Sequence, residues 1–237
     1  MTKNRSNKKK TAVDSAVRNP ATLSDGCNPE LVVGARFDGM FEMPIIKKPR
    51  KIIIPDALVP FSKMDKATPD AFAVCTYEND IEFKDLLINP EAYVERISKY
   101  QGFITPDCSV YRDMPLAVQI TNIYRSRAIG HYMQQHGIYV IPNVRWGDER
   151  TYSTKFFTER VAFSGIEKNS IVAVGSYGQL KNKTNRYYFE EGMKYMMKQL
   201  APKVVLVYSQ MPEEIIEAYP ETKFVEYPDW TTLMRKD

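Results

Sequence analysis

The chain reads as an α/β protein: a mainly parallel sheet of about six βα units, forming an incomplete (β/α) barrel or, alternatively, a doubly wound open sheet. Three features of the sequence predict this. Apolar runs of strand length recur from residue 71 onward at a spacing of about thirty residues, the pitch of a strand plus its crossover helix. Stretches with a partial helical period separate these runs. Polar or charged residues follow the runs, as they do where the strand ends of a barrel gather into one rim, and this favours the barrel.

Taken in order, residues 1–30 are rich in Lys, Asn, Ser and Thr without periodicity and read as a flexible basic tail. Residues 31–237 read as a single α/β domain, with 31–66 an N-terminal arm and 67–237 the βα core. Pro44, Pro49, Pro55 and Pro60 break the arm, and Ile52–Ile53–Ile54 is its expected buried piece. Beside it, Lys47, Lys48, Arg50 and Lys51 read as a solvated face with the chemistry to grip phosphate.

Strands are predicted at 71–77, 102–105, 138–144, 170–174, 203–208 and 223–227. Runs such as VAV and VVLV are apolar on successive residues, the pattern of strands covered on both faces. Helices are predicted over Glu82–Tyr100 with a break at Asn89–Pro90, and over Pro115–Gln135, Phe189–Leu200 and Glu213–Tyr219. Asp113 is the expected N-cap of the longest helix, with Pro115 in its first turn and Gly137 ending it. The turn Gly175–Ser176–Tyr177–Gly178 is similar to a phosphate-cradling loop, without the Lys-Ser/Thr of a P-loop or the spacing of a dinucleotide fingerprint.

Composition excludes several classes. No apolar run approaches the ~20 residues of a membrane span, and no apolar segment of a signal peptide opens the chain. Cys27, Cys75 and Cys108 are odd in number and lack a CxxC, which fits a reducing cytoplasm and gives neither a disulfide framework nor a zinc motif. His131 and His136, the only histidines, lie late in a predicted helix, so a His-rich metal site or a Ser-His-Asp triad is not available. The net charge of +4 is concentrated in residues 1–18, where Lys3, Arg5, Lys8, Lys9, Lys10 and Arg18 face only Asp14, a charge of +5 that leaves the rest of the chain at −1. A basic tail of this kind is a solvated segment or a nucleic-acid arm.

If the sheet is parallel, its C-terminal rim carries Tyr77, Asp80, Thr105, Asp107, Asn143, Arg145, Trp146, Ser176, Tyr177, Tyr208, Tyr227 and Asp229. Asp107 and Asp80 are the candidate catalytic carboxylates, and the same pair, with Asp148 nearby, is the candidate site for a divalent metal. Asp80 is equally placed to cap a helix, and Asp107 to close an Asx-turn. Arg145 is suited to phosphate or carboxylate and Trp146 to stacking on a base, with Asp148, Asn143 and Tyr177 completing a candidate ligand site. The alternative is an internal pair of Arg145 with Asp107 or Asp148, with Trp146 as a lid on the core. Arg125 and Arg127 lie on different faces of their helix, so only one of them faces the rim.

The segments YENDIEF (Tyr77–Phe83), INPEAYVERISKYQGFITPDCSVYRDMP (Ile88–Pro115), YRSRAIGHYMQQHGIYVIPNVRWGDE (Tyr124–Glu149) and GSYG (Gly175–Gly178) carry a resemblance. In them the chain resembles a family of uncharacterised proteins of phages, prophages and conjugative elements, a domain of unknown function. The resemblance implies the cytoplasm of a bacterial host and brings no activity. Members of that family carry an aromatic where Cys108 stands and a histidine where Tyr177 stands, so a histidine acid or base at that loop is not available here.

Two functions follow. The first is an enzyme acting on a nucleotide or nucleic acid at the rim, with carboxylate-bound metal or carboxylate acid/base chemistry at Asp107 and Asp80, phosphate on Arg145 and a base on Trp146. The second is a non-catalytic accessory protein whose rim binds a ligand or host protein. Carboxylates too far apart to share an ion, or an internal Arg145–Asp107 pair, favour the second.

Overall fold

Short apolar runs form the parallel strands of this protein, and the computed structural model, which describes residues 27–235, places them in sequential order. The tail read at residues 1–30 lies almost wholly outside the described residues. A short antiparallel pair, β1 (Phe37–Asp38) and β2 (Met43–Pro44), comes first. Four parallel strands follow: β3 (Ala57–Pro60), β4 (Phe72–Cys75), β5 (Gly102–Ile104) and β6 (Val140–Ile141). A second parallel sheet holds β7 (Ile171–Gly175), β8 (Val204–Tyr208) and β9 (Lys223–Tyr227). One parallel bridge, Asn143 with Ala173, links the two sheets, with Val144 N–H donating to Ala173 O at 2.8 Å. All six strands predicted in the core are present.

The arm departs from expectation in two ways. Ile52–Ile54 is only in part its buried piece: Ile52 and Ile54 are half-buried against the core but Ile53 is 42% exposed, whereas Ile46 is 1% exposed and Met43 fully buried. Also, Ala57–Pro60 is a strand, in register with Phe72–Cys75. Four residues ending in proline gave no strand-length signal, and Pro60 is tolerated because β3 has a neighbour on one side only within its sheet.

Helices connect the strands on the pattern read from the sequence. Asn89–Pro90 separates α1 (Lys84–Ile88) from α2 (Glu91–Ile97). The longest helix, α3 (Leu116–Gln135), ends where Gly137 takes a φ of 80°. Asp113 is not its N-cap. Pro115 occupies that position without a side-chain bond, and Asp113 stays exposed on the preceding loop. The short α4 (Glu149–Tyr152) is capped by Asp148, and α5 (Lys183–Leu200) by Asn182, whose Oδ1 accepts from Asn185 N–H at 2.8 Å. The chain ends with α6 (Glu213–Ala218) and α7 (Trp230–Leu233). Among the described residues no helix is long and apolar enough to cross a membrane.

Alternate strand positions divide the core. Leu58, Ala73, Ile104, Ile141, Ala173, Leu206 and Tyr227, one from each parallel strand, belong to a single buried cluster. The intervening residues face helices: Val59, Val74 and Phe103 pack with Leu86, Ile97 and Ile129, and Val172, Val174 and Val205 with Met193 and Met196. Burial on both faces explains why these strands are apolar on successive residues. Gly130 marks the closest approach of α3 to the sheet, since a Cβ there would overlap Thr105 Cγ2 and Ile46 Cδ1. Gly130→Val is therefore expected to cost about 1–3 kcal/mol, read by urea denaturation, because neither the short Thr105 side chain nor the buried Ile46 has room to retreat.

Candidate functional site

Helix α3 builds the rim at the strand C-termini by gripping its loops with buried polar side chains. Gln119 Nε2 donates to Met114 O at 3.0 Å, and Asn122 Nδ2 to Ser109 O at 2.6 Å. Ser126 Oγ lies 3.0 Å from Thr105 Oγ1, which accepts the backbone N–H of Asn143 at 2.9 Å. Arg127 is 1% exposed. Its guanidinium donates to three main-chain carbonyls, Asn143 O at 2.8 Å, Ala162 O at 2.9 Å and Ser164 O at 3.1 Å. Burial lowers its pKa to about 10, which still leaves it charged at neutral pH. Of Arg125 and Arg127, the latter turns inward, and it serves the backbone rather than a ligand.

On that scaffold lies a buried relay. Tyr77 OH donates to Asn143 Oδ1 at 2.9 Å, and Asn143 Nδ2 donates to Asp107 Oδ1 at 2.8 Å. The other oxygen of Asp107 takes the Arg145 Nη1–H in an ion pair whose side chains are 11% and 21% exposed. Thr76 Oγ1 accepts the Asp107 backbone N–H at 2.7 Å. Burial raises the Asp107 carboxyl above the ordinary carboxylate range, against the opposing pull of Arg145 and Asn143. Burial alone would lower the Arg145 pKa, but Asp107 beside it raises it overall, so the guanidinium stays charged.

Arg145 uses only one edge in this pair. Its Nε is buried and has no hydrogen-bond partner, and its guanidinium carbon lies 5.3 Å from the centre of the Tyr111 ring. It also stands where two cavities adjoin, of about 660 Å³ and 450 Å³, both lined by Arg145, Tyr177 and Gln179. The larger lobe adds Tyr111, Arg112, Asn182, Asn185 and Tyr188. The smaller adds Tyr77, Glu78, Glu82, Lys63 and Asp107. Gly175 is required here, since a Cβ would run into the Tyr77 ring.

The residues singled out from the sequence divide accordingly. Asp107, Arg145 and Tyr177 meet at the cleft, and Asn143 holds Asp107 from beneath. Asp80, expected as a catalytic or metal-binding carboxylate, instead turns both oxygens to Ser109, accepting its backbone N–H at 3.1 Å and its hydroxyl at 2.8 Å. It caps no helix either; it pins the loop that carries Tyr111. Asp148 accepts Arg150 N–H at 3.0 Å and pairs with the Arg150 guanidinium at 2.9 Å, as the cap of α4. Trp146 is 8% exposed. Its indole stacks on Phe189, donates to Tyr188 O at 3.0 Å and fills the space over Gly192, so its face is not free for a base. Asp80 and Asp107 thus have their oxygens satisfied by protein donors. Among the described residues no group of three His, Cys, Asp or Glu side chains is placed to hold a metal ion. Cys108 is buried in the core, and burial raises its thiol pKa far from nucleophilic range.

Sequence reasoning missed Tyr111, 49% exposed, and Arg112, whose guanidinium lies 5.4 Å from the Tyr188 ring centre. Their signal was present, an aromatic–basic pair just after Asp107 in a loop with no apolar period.

Residues 35–228 match the family model DUF4417, described as a domain of unknown function. The chain is similar to the Gene 1 protein of Mycobacterium phage L5, with 31% identity over 73% of this chain and 71% of that protein. It is also similar to the Gene 1 protein of Mycobacterium phage D29, with 31% identity over 67% of this chain and 55% of that protein. No solved structure matches.

Proposed function

From a chain that belongs to the DUF4417 family, and so inherits no activity from it, we propose a phage protein of the host cytoplasm that binds a nucleotide-class ligand at the rim of its sheets. The observation that carries this reading is Arg145. One edge of the guanidinium holds Asp107, while the edge that carries Nε is buried without a partner in a residue that lines both adjoining cavities. A phosphate oxygen pair satisfies that edge in the side-on bidentate manner open to Arg and not to Lys. Tyr111 and Tyr177, exposed by 49% and 60%, supply the stacking faces that Trp146 does not. Asn182, Asn185 and Gln179 offer amides to a base edge. The volume of the larger lobe falls in the range of small-molecule sites.

The rim itself is best understood as the mouth of a partial (β/α) barrel. Support comes from the shared cluster of all seven parallel strands, from the Tyr77–Tyr208 stack at 4.7 Å between β4's end and β8, and from Tyr227 OH donating to Pro55 O at 2.6 Å. Strand order without reversal also fits a barrel better than a doubly wound sheet. On this reading residues 31–237 form one domain.

Nucleoside mono-, di- and triphosphates, with inorganic phosphate as control, test the proposal by thermal shift and calorimetry. A ligand at ~100 times its Kd stabilises by about 2.7 kcal/mol. Arg145→Lys is expected to lose at least about tenfold in affinity by removing the planar fork. If no nucleotide shifts the wild-type melting temperature, the proposal fails. A catalytic reading is favoured by one observation, the raised pKa of Asp107 on the wall of the smaller lobe. It requires turnover that Asp107→Asn abolishes while nucleotide binding persists.

A further inference from the structure

The end of the sheets opposite the Arg145 cleft carries positive charge that nothing in the fold uses. Helix α3 runs antiparallel to the strands it joins, so Gln134 and Gln135 lie beside the strand starts. The segment 45–56 is tied across that end. Ile46 N–H donates to Gly165 O at 2.9 Å, Lys47 N–H to Gln134 Oε1 at 2.9 Å, Ile53 N–H to Tyr139 OH at 2.9 Å and Asp56 N–H to Gln101 Oε1 at 3.2 Å. This strap is extended rather than helical, and its side chains Lys47, Lys48, Arg50 and Lys51 are all exposed.

Three more exposed lysines stand at the strand starts: Lys168 before β7, Lys203 before β8 and Lys223 opening β9. Among the described residues none of these seven cations pairs with a carboxylate. The acidic groups on the same end are Asp38, Asp56, Glu167 and Glu221; Asp38 accepts the Gly165 N–H at 2.9 Å, and Glu167 is already engaged by Arg36 at 3.3 Å and by the Lys48 N–H at 2.7 Å. Two cavities of about 390 Å³ and 420 Å³ adjoin at Asn169. Lys48 and Lys168 line the first beside Asp38 and Glu167, and Lys203 lines the second beside Glu221, so three of the seven cations border this groove and the other four stand around it on the same end.

We infer that this groove binds the phosphodiester backbone of a nucleic acid, independently of sequence. A concave path edged by lysines suits a chain of regularly spaced phosphates. The strap is extended, so it offers a bilayer no amphipathic helix face to bury. The sequence before the described residues is itself basic, with Lys3, Arg5, Lys8, Lys9, Lys10 and Arg18, so its contribution is to be separated from that of the groove. The groove lies on a different face from the cleft, so its test is independent of the nucleotide reading.

The full chain is titrated against a labelled mixed-sequence duplex, and its single strand, from about 50 to 200 mM salt. Wild type is expected to bind with an affinity that falls linearly in log–log form. The combined variant Lys47→Gln, Lys48→Gln, Arg50→Gln and Lys51→Gln should keep its melting temperature and bind at least about tenfold more weakly at the lowest salt. Its slope on the duplex should flatten by about 0.9 for each phosphate contact removed. A chain lacking residues 1–25 should retain salt-dependent binding. Should the combined variant fail to fold, Lys168→Gln with Lys203→Gln and Lys223→Gln is read instead, with the same weakening expected. The inference is overturned by unchanged affinity in the folded variant, by complete loss on removing residues 1–25 alone, by no wild-type binding, or by binding to anionic vesicles in place of nucleic acid.

Discussion

Arg127→Met is expected to destabilise the protein by about 3–5 kcal/mol, the largest loss from any single substitution considered, measured as a fall in the urea midpoint. Two effects oppose one another. Methionine removes the cost of keeping a guanidinium out of water, and on that ground alone a buried cation is often replaced without loss. Here, though, the partners are three main-chain carbonyls, of Asn143, Ala162 and Ser164, which stay buried when the guanidinium goes. Each buried carbonyl left without a donor costs about 1–3 kcal/mol, and this outweighs the saving. The effect also reaches the cleft, because Asn143 is held at its carbonyl by Arg127 and at its amide by Asp107. Arg127→Lys supplies a charge but cannot reach three divergent carbonyls with a planar fork, so it should recover less than half of the loss. A midpoint unchanged from wild type would mean that other donors replace the guanidinium.

The strands were legible where the sequence carried enough residues to show a pattern. IVAV and VVLVY admit little but a buried parallel strand, and β7 and β8 fall within a residue of the predicted runs. ALVP did not, since four residues between prolines look like arm. The long helix was placed to within one residue at its start, yet its cap was misread: Asp113 has the right chemistry and position, but the chain turns again at Pro115 before the helix begins. The candidate site was legible as a location and less so as a set of contacts. Strand-end position alone brought Asp107, Arg145 and Tyr177 into view. Side-chain direction decided the rest, and sequence does not encode it locally. Trp146 follows Arg145 directly, but the two side chains part, one to the cleft and the other to Phe189 and Gly192. Asp80 and Asp148 look like ligands by residue type and act as loop ties because Ser109 and Arg150 happen to lie within reach. The polar inner face of α3 hid its own role, since Gln119, Asn122, Ser126 and Arg127 read as a helix without a clear apolar stripe rather than as a clamp.

The second large effect belongs to the Asp107–Arg145 pair, where breaking the pair should cost far more than replacing both partners. Arg145→Met leaves the Asp107 carboxylate buried with only Asn143 to compensate it, and is expected to cost about 2–4 kcal/mol at neutral pH. Part of the pair reaches solvent, which is why the figure lies below that of a fully enclosed one. Asp107 is a carboxyl whose folded-state pKa is raised, so the folded protein takes up its proton more readily than the unfolded chain. Its contribution is therefore most favourable below the ordinary carboxylate range and declines as pH rises through the raised value. Removing Arg145 raises that pKa further. The Arg145→Met variant should accordingly recover stability on acidification over a pH window in which wild type changes less. Adding Asp107→Asn removes the stranded charge, keeps a donor and acceptor for Asn143, and should restore most of the lost stability at neutral pH. A double-mutant cycle in urea, run at neutral and mildly acidic pH, reads the coupling directly. On the proposed function, nucleotide binding should nevertheless be absent from both Arg145→Met and the double variant, because stability is recovered by deleting a charge while the edge proposed to hold phosphate is not. Strictly additive effects would show that the pair is not coupled, and nucleotide binding by the double variant would remove Arg145 from the ligand site.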